Sequence, residues 1–285
     1  MIEASIAASV FYLLLVVGTK VSIADFRLII ARPTVITLIT LAHVFLVPVI
    51  VTGIVLTIPL DAWMATGMIM IAASPTGAMS SYYVTLARGN AAMSVTLCGV
   101  TSILSFVTAP LSCLLIAELL MIEPIRAVPF GSMLSQTLPT VLLPVVLGIV
   151  TRHLYPSWTL RHQEFMERLS FVAIGLLIIV ILASQYDFLT PAIVGSAIVM
   201  AILFTVVLLV LGWTLARFTA PSLGNAEWSG IIFGFPSRNL GLAALLAANV
   251  FGMIELAAFG VVFFIVQFFV LLPLALVLRQ RAKTF

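Results

Sequence analysis

Charge is scarce in this sequence. Lys, Arg, Asp and Glu make up 8% of 285 residues, while apolar residues make up 63%. Soluble domains carry roughly a quarter charged residues. With a mean hydropathy of +1.29, too few polar side chains remain to cover a water-solvated surface, and the composition predicts an all-α polytopic membrane protein. Cysteine is nearly absent. Cys98 and Cys113 lie fifteen residues apart on one apolar segment, about 22 Å along a helix, too far to bridge. Neither a metal-ligand spacing of Cys and His nor a basic nucleic-acid patch occurs. The start, Met1-Ile2-Glu3, lacks a basic n-region, and the first apolar run continues into Lys20 without a cleavage site. It reads as a retained helix.

What is present is a series of apolar runs. A spanning helix needs about 20 apolar residues, and polar punctuation leaves nine such segments, near 4–20, 34–58, 62–86, 91–117, 129–151, 168–184, 189–216, 227–249 and 252–278. The boundary between the last two, around "NVFGMIE", is the weakest. One set of loops then holds Lys20, Arg27, Arg32, Arg88, Arg152, Arg161, Arg168, Arg217, Arg279, Arg281 and Lys283, and the opposite set only Arg126. Positive residues collect on the cytoplasmic side, which predicts N-out, C-in topology and accounts for the net charge of +3. The thirteenth basic residue, Arg238, belongs to no loop.

Two segment pairs look alike. "WMATGMIMIAASPTGAMSSYYVTLARGN" and "WSGIIFGFPSRNLGLAALLAANVFG" each open on tryptophan, are interrupted in mid-span by proline with small and polar neighbours, and precede a further apolar helix. The second pair begins five spans after the first, an odd offset, so the repeats, approximately 1–121 and 129–285, are inverted across the membrane. Proline-interrupted spans at matching positions of two halves point to a secondary transporter's binding site.

The breaks centre on Pro75 and Gly77, and on Gly234, Pro236 and Gly241. Each proline removes a backbone donor, so carbonyls of 71–74 and 232–235 need other partners. Thr76, Ser80 and Ser81 flank the first break, and Ser237, Arg238 and Asn239 occupy the second. Ser94 and Cys98 share a face of the following helix, and His43 stands alone in the second span. Each hydroxyl alone reads as helix packing; together they suggest a polar cavity for substrate or ion. An arginine at the bilayer centre costs about 2.5–3.5 kcal/mol on insertion scales. No acidic residue falls in mid-span, so its candidate partners are broken-helix carbonyls, water or an anionic substrate, unless it snorkels to an interface.

At these residues the chain resembles the bile acid:sodium symporter superfamily. The matching pieces are "SIADFRLIIARP" at 22–33, "AHVFLVP" at 42–48, "SPTGAMSSYYVTLARGNAAMSVTL" at 74–97 and "RNLGLA" at 238–243. The resemblance implies a single transporter unit, 1–285, in which two crossed broken helices sit in a core (34–117 and 189–278) that moves against a panel (4–20 and 129–184). It also implies sodium-coupled uptake of organic anions. The sodium ligands carry over poorly. Ser80 and Ser94 keep the family's residue type, and Ser81 is a further sodium candidate. Cys98 stands for a threonine, Gly234 for a glutamate, and His43 and Arg238 for glutamines.

The expected function is secondary transport of small or amphipathic organic anions by alternating access, without the usual sodium sites. Arg238 then either replaces sodium among the carbonyls or holds the substrate's carboxylate. The alternatives are a sodium-coupled symporter with altered ligands and a transporter-fold sensor. An intramembrane protease lacks an acid pair or an assured base. No cofactor is expected, with sodium left open. The partners are the lipid bilayer, an organic anion and a sodium ion or proton, and the bacterial cytoplasmic membrane is the expected location.

Overall fold

The computed structural model describes residues 2–21, 30–219, 221 and 224–281. Asp25, Arg27, Lys283 and most of the 22–33 motif lie outside them. The described chain is helical, and six helices are long and apolar enough to cross a membrane. In chain order the elements are α1 (Ile2–Lys20), α2 (Pro33–Thr57), α3 (Ala62–Ala73), α4 (Met79–Leu86), α5 (Ala91–Leu120), α6 (Phe130–Leu154), α7 (Pro156–Ser184), α8 (Pro191–Thr219), α9 (Asn225–Gly234), α10 (Leu240–Val250) and α11 (Leu256–Arg281).

Local chemistry sets the element ends. Asn90 caps α5, its side chain accepting the Ala92 N–H at 2.9 Å, and Arg88 just before it takes a left-handed φ of 60°. Gly252, with φ of 66°, turns the chain between α10 and α11, so the weak "NVFGMIE" boundary is a real one. The last helix starts at Leu256 rather than 252. The sixth segment, expected at 168–184, begins at Pro156. Arg161 and Arg168 therefore lie on a helix rather than in a loop, because a polar, helix-favouring stretch precedes the apolar run.

Packing separates inner from outer helices. In α3, nine consecutive residues from Met64 to Ala72 are buried, and all six residues of Leu240–Leu245 are buried. By contrast α7 buries only Thr159, Leu177 and Ile181. Phe45, Leu115, Phe165 and Phe269 are all exposed, which suits hydrocarbon rather than water. α1 crosses α6 at two glycines: a Cβ on Gly18 would sit 2.9 Å from the Gly148 Cα. Glycine there lets the two backbones touch.

Candidate functional site

The two interrupted spans cross at their breaks. α3 ends at Ala73, and Ser74 turns extended; α9 ends at Gly234, and α10 starts at Leu240 behind an extended Asn239. Thr76 and Arg238 pair as an isolated antiparallel bridge. Its bonds run from the Gly77 N–H to the Ser237 carbonyl at 2.6 Å and from the Asn239 N–H to the Pro75 carbonyl at 3.0 Å. Gly77 permits this approach, since a Cβ there would meet the Arg238 carbonyl oxygen at 2.9 Å. Gly234 is under no such constraint: nothing lies nearer than 4.0 Å to a Cβ built on it.

The carbonyls released at the breaks find specific partners. Pro75 has no N–H for Ile71, and the Thr76 N–H turns to the Thr101 hydroxyl at 3.2 Å rather than to Ala72. Arg238 takes up both carbonyls: Nε donates to Ile71 at 3.2 Å, and Nη2 donates to Ala72. Its residue is 2% exposed, so it does not snorkel. Nη1 has no protein partner among the described residues. Two charge-assisted bonds, about 1.5–3 kcal/mol each, offset the roughly 2.5–3.5 kcal/mol cost of placing the arginine there.

At the second break the Arg238 N–H turns to the Pro236 carbonyl at 2.9 Å, which frees the Gly234 carbonyl. His43 meets it. The ring sits in a π-turn, Ala42–Leu46, stacked on Phe235 with centroids 3.9 Å apart. Its Nδ1 lies 3.1 Å from the Ile39 carbonyl, and its Nε2 lies 3.3 Å from the Gly234 carbonyl and 3.0 Å from the Thr76 hydroxyl. A neutral ring donates from Nδ1 and accepts from Thr76; a doubly protonated ring would bond both carbonyls. Cys98 Sγ donates to the Thr76 carbonyl at 3.2 Å, so His43, Thr76 and Cys98 form one buried network.

A separate hydroxyl cluster joins α4 and α5. Ser94 Oγ lies 2.7 Å from Ser80 Oγ and 3.2 Å from Ser81 Oγ. Ser94 thus bridges the other two, and the cluster carries no carboxylate. Ser237 is buried with its hydroxyl unpartnered among the described residues, and the Asn239 side chain caps α10 by accepting the Leu242 N–H at 3.2 Å.

A cavity of about 290 Å³ opens beside the crossing. Of the residues singled out in the sequence, Gly77, Ser81, Arg238, Asn239 and Gly241 line it. His43, Thr76, Ser80, Ser94, Cys98 and Ser237 do not: His43, Thr76 and Cys98 belong to the buried network, Ser80 and Ser94 to the hydroxyl cluster, and Ser237 is buried apart from both. The rest of the wall holds Lys20 of α1 and Gln163, Glu167 and Ser170 of α7, of which the sequence reading left Lys20, Gln163 and Glu167 outside the spans or at their edges. Lys20 Nζ pairs with Glu167 Oε1 at 3.1 Å. The spacing of Gln163, Glu167 and Ser170, by four and three, is a polar stripe along one helical face and was the available signal.

The sequence profile described as the Sodium Bile acid symporter family matches residues 7–192, well over half of the chain. The chain belongs to that family. The sodium bile acid symporter family is one of membrane transporters, so the chain is grouped with carriers and not with enzymes. It is 27% identical over 236 residues to a probable sodium/metabolite cotransporter of the chloroplast from rice (Oryza sativa subsp. japonica), covering 81% of this chain and 54% of that one. The chain thus spans about half the length of the rice relative. It is 24% identical over 239 residues to the uncharacterized sodium-dependent transporter YocS of Bacillus subtilis (strain 168), covering 81% of this chain and 70% of that one.

Proposed function

We propose that the chain is a secondary transporter of small or amphipathic organic anions that works by alternating access around the crossed breaks, without the sodium sites usual in its family. The observation that carries this reading is the Arg238 guanidinium bonded to the Ile71 and Ala72 carbonyls. Carbonyls at a helix C-terminus favour a cation, and here a tethered one holds the place a sodium ion would compete for. A second cation within roughly 4–6 Å is strongly disfavoured. The Ser80, Ser81 and Ser94 hydroxyls, linked through Ser94, offer no negative charge to offset that repulsion.

Around this centre the reading places nine spans with the N-terminus outside, in a bacterial cytoplasmic membrane, and two inverted repeats, 1–121 and 129–285. The core, 34–117 and 189–278, carries both breaks. The panel, 4–20 and 129–184, contributes Lys20 and the Gln163 to Ser170 stripe to the wall of the cavity. Rocking of core against panel would expose the cavity to each side in turn. Membrane potential acting on the anion, or a proton on His43, would supply the energy.

A second reading, a sodium-coupled organic anion symporter with altered ligands, draws on kinship, since both relatives carry sodium in their names. Counterflow of organic anions in proteoliposomes, with and without a sodium gradient, separates the two. The first reading expects equal rates under both conditions. Strict dependence on sodium would overturn it in favour of the second.

A further inference from the structure

The Lys20–Glu167 pair lines the same cavity as Gly77, Arg238 and Asn239 of the crossing but makes no bond to the breaks among the described residues. Lys20 closes the end of α1, with its side chain 16% exposed, while that of Glu167 is 37% exposed. Glu167 Oε1 also accepts from Gln163 Nε2 at 3.2 Å. The two partners differ in freedom. The carboxylate can swing to water at little cost, whereas the largely buried ammonium would be left without a counter-charge.

We propose that Glu167 is a placeholder: in the empty cavity it neutralises Lys20, and the substrate's carboxylate displaces it and takes over its bond to Lys20. The exchange swaps one carboxylate for another on the same ammonium, so the number of buried charges stays constant. The net gain comes from the substrate's apolar body, which meets Val16, Val17, Phe171, Ile174 and Phe264 on the cavity wall. A volume of about 290 Å³ lies at the lower end of ligand pockets, roughly 300–1,000 Å³. The ligand class is therefore a small monocarboxylate with a compact apolar body rather than a steroid acid. This deepens the organic-anion reading above and rests on it.

The rival explanation is a structural strap. α1 and α7 are also joined by the Tyr12 hydroxyl donating to the Met166 carbonyl at 3.0 Å, and an ion pair nearby could merely reinforce that contact. The two ideas differ in the sign of one mutant. Equilibrium binding of radiolabelled benzoate to purified protein in nanodiscs, with lactate and cholate as competitors, is the measurement. Removing a competing carboxylate whose surface pairing is worth up to about 1 kcal/mol should tighten benzoate binding by about two- to fivefold in Glu167→Gln. Lys20→Gln should weaken it about tenfold or more, Lys20→Arg should stay near wild type, and cholate should compete poorly. If Lys20→Gln does not fold, the Glu167→Gln and Lys20→Arg results decide.

Weaker binding in Glu167→Gln, together with normal carboxylate exchange by wild type in proteoliposomes, would overturn the placeholder and leave the organic-anion reading standing. Cholate competing as well as benzoate would overturn the size class. A wild-type protein that neither binds nor exchanges any carboxylate would remove both.

Discussion

Thr76 and Arg238 pair backbone to backbone where the two broken helices cross, and the Arg238 side chain then reaches past Thr76 to the Ile71 and Ala72 carbonyls behind it. One residue thus closes the second break and satisfies the first. The arrangement makes the crossing a single unit whose parts should fail together.

Replacing Arg238 with alanine removes the tethered cation and leaves the adjacent Ile71 and Ala72 carbonyls without the guanidinium donor. The variant should be destabilised by about 2–4 kcal/mol. Sodium chloride should then raise its melting temperature in detergent relative to choline chloride, while wild type shows no difference between the two salts. An equal response of both proteins would argue that Arg238 does not stand in for a cation.

Two of the break glycines, Gly77 and Gly234, should respond differently to alanine. Gly77→Ala forces a Cβ to 2.9 Å from the Arg238 carbonyl oxygen, and overpacking of this kind costs about 1–3 kcal/mol. Gly234→Ala places its Cβ 4.0 Å from its nearest neighbours. It should be neutral or gain up to about 1 kcal/mol from helix propensity. Thermal unfolding of both variants in one detergent checks the contrast.

His43→Phe keeps a ring against Phe235 but leaves the Thr76 hydroxyl and the Ile39 and Gly234 carbonyls without their imidazole partner. Losing such partners costs about 1–3 kcal/mol. Counterflow should fall further than folded yield does, because the imidazole Nε2 lies between Thr76 of the first break and the Gly234 carbonyl of the second. Radiolabelled anion exchange, normalised to the monodisperse fraction, measures this.

The α1–α6 crossing tolerates no side chain. A Cβ on Gly148 would approach the Gly18 Cα to 2.8 Å. Gly148→Leu should abolish monodisperse expression, whereas the same change at Gly175, where nothing lies within 4 Å of a Cβ, should not. Fluorescence-detected gel filtration distinguishes the outcomes.

Much of the site was legible in one dimension. Pro75 and Pro236 lack an N–H for the helix ladder and sit among small and polar neighbours, Ser74, Thr76 and Gly77 at one and Ser237, Arg238 and Asn239 at the other, whereas Pro110 and Pro273, flanked by apolar residues, stay inside continuous helices. The helices end at Ala73 and Gly234, two residues before each proline. The absence of any mid-span carboxylate limited the partners of Arg238 to carbonyls, water or substrate. Lys20 and Glu167 were missed because each sits at the polar edge of a segment, where charge reads as loop. Only the helical extension of α7 back to Pro156 turned Glu167 inward.

The sequence by itself determined that the chain lives in hydrocarbon and where its helices break. Those properties follow from local composition, including the small and polar residues that sit beside Pro75 and Pro236. Tertiary structure alone decided who satisfies the released carbonyls. Arg238 is 167 residues from Ile71 and His43 is 191 from Gly234, and hydrogen bonding at 3 Å is blind to such separations. Folding had to bring the two breaks together before one arginine could serve both.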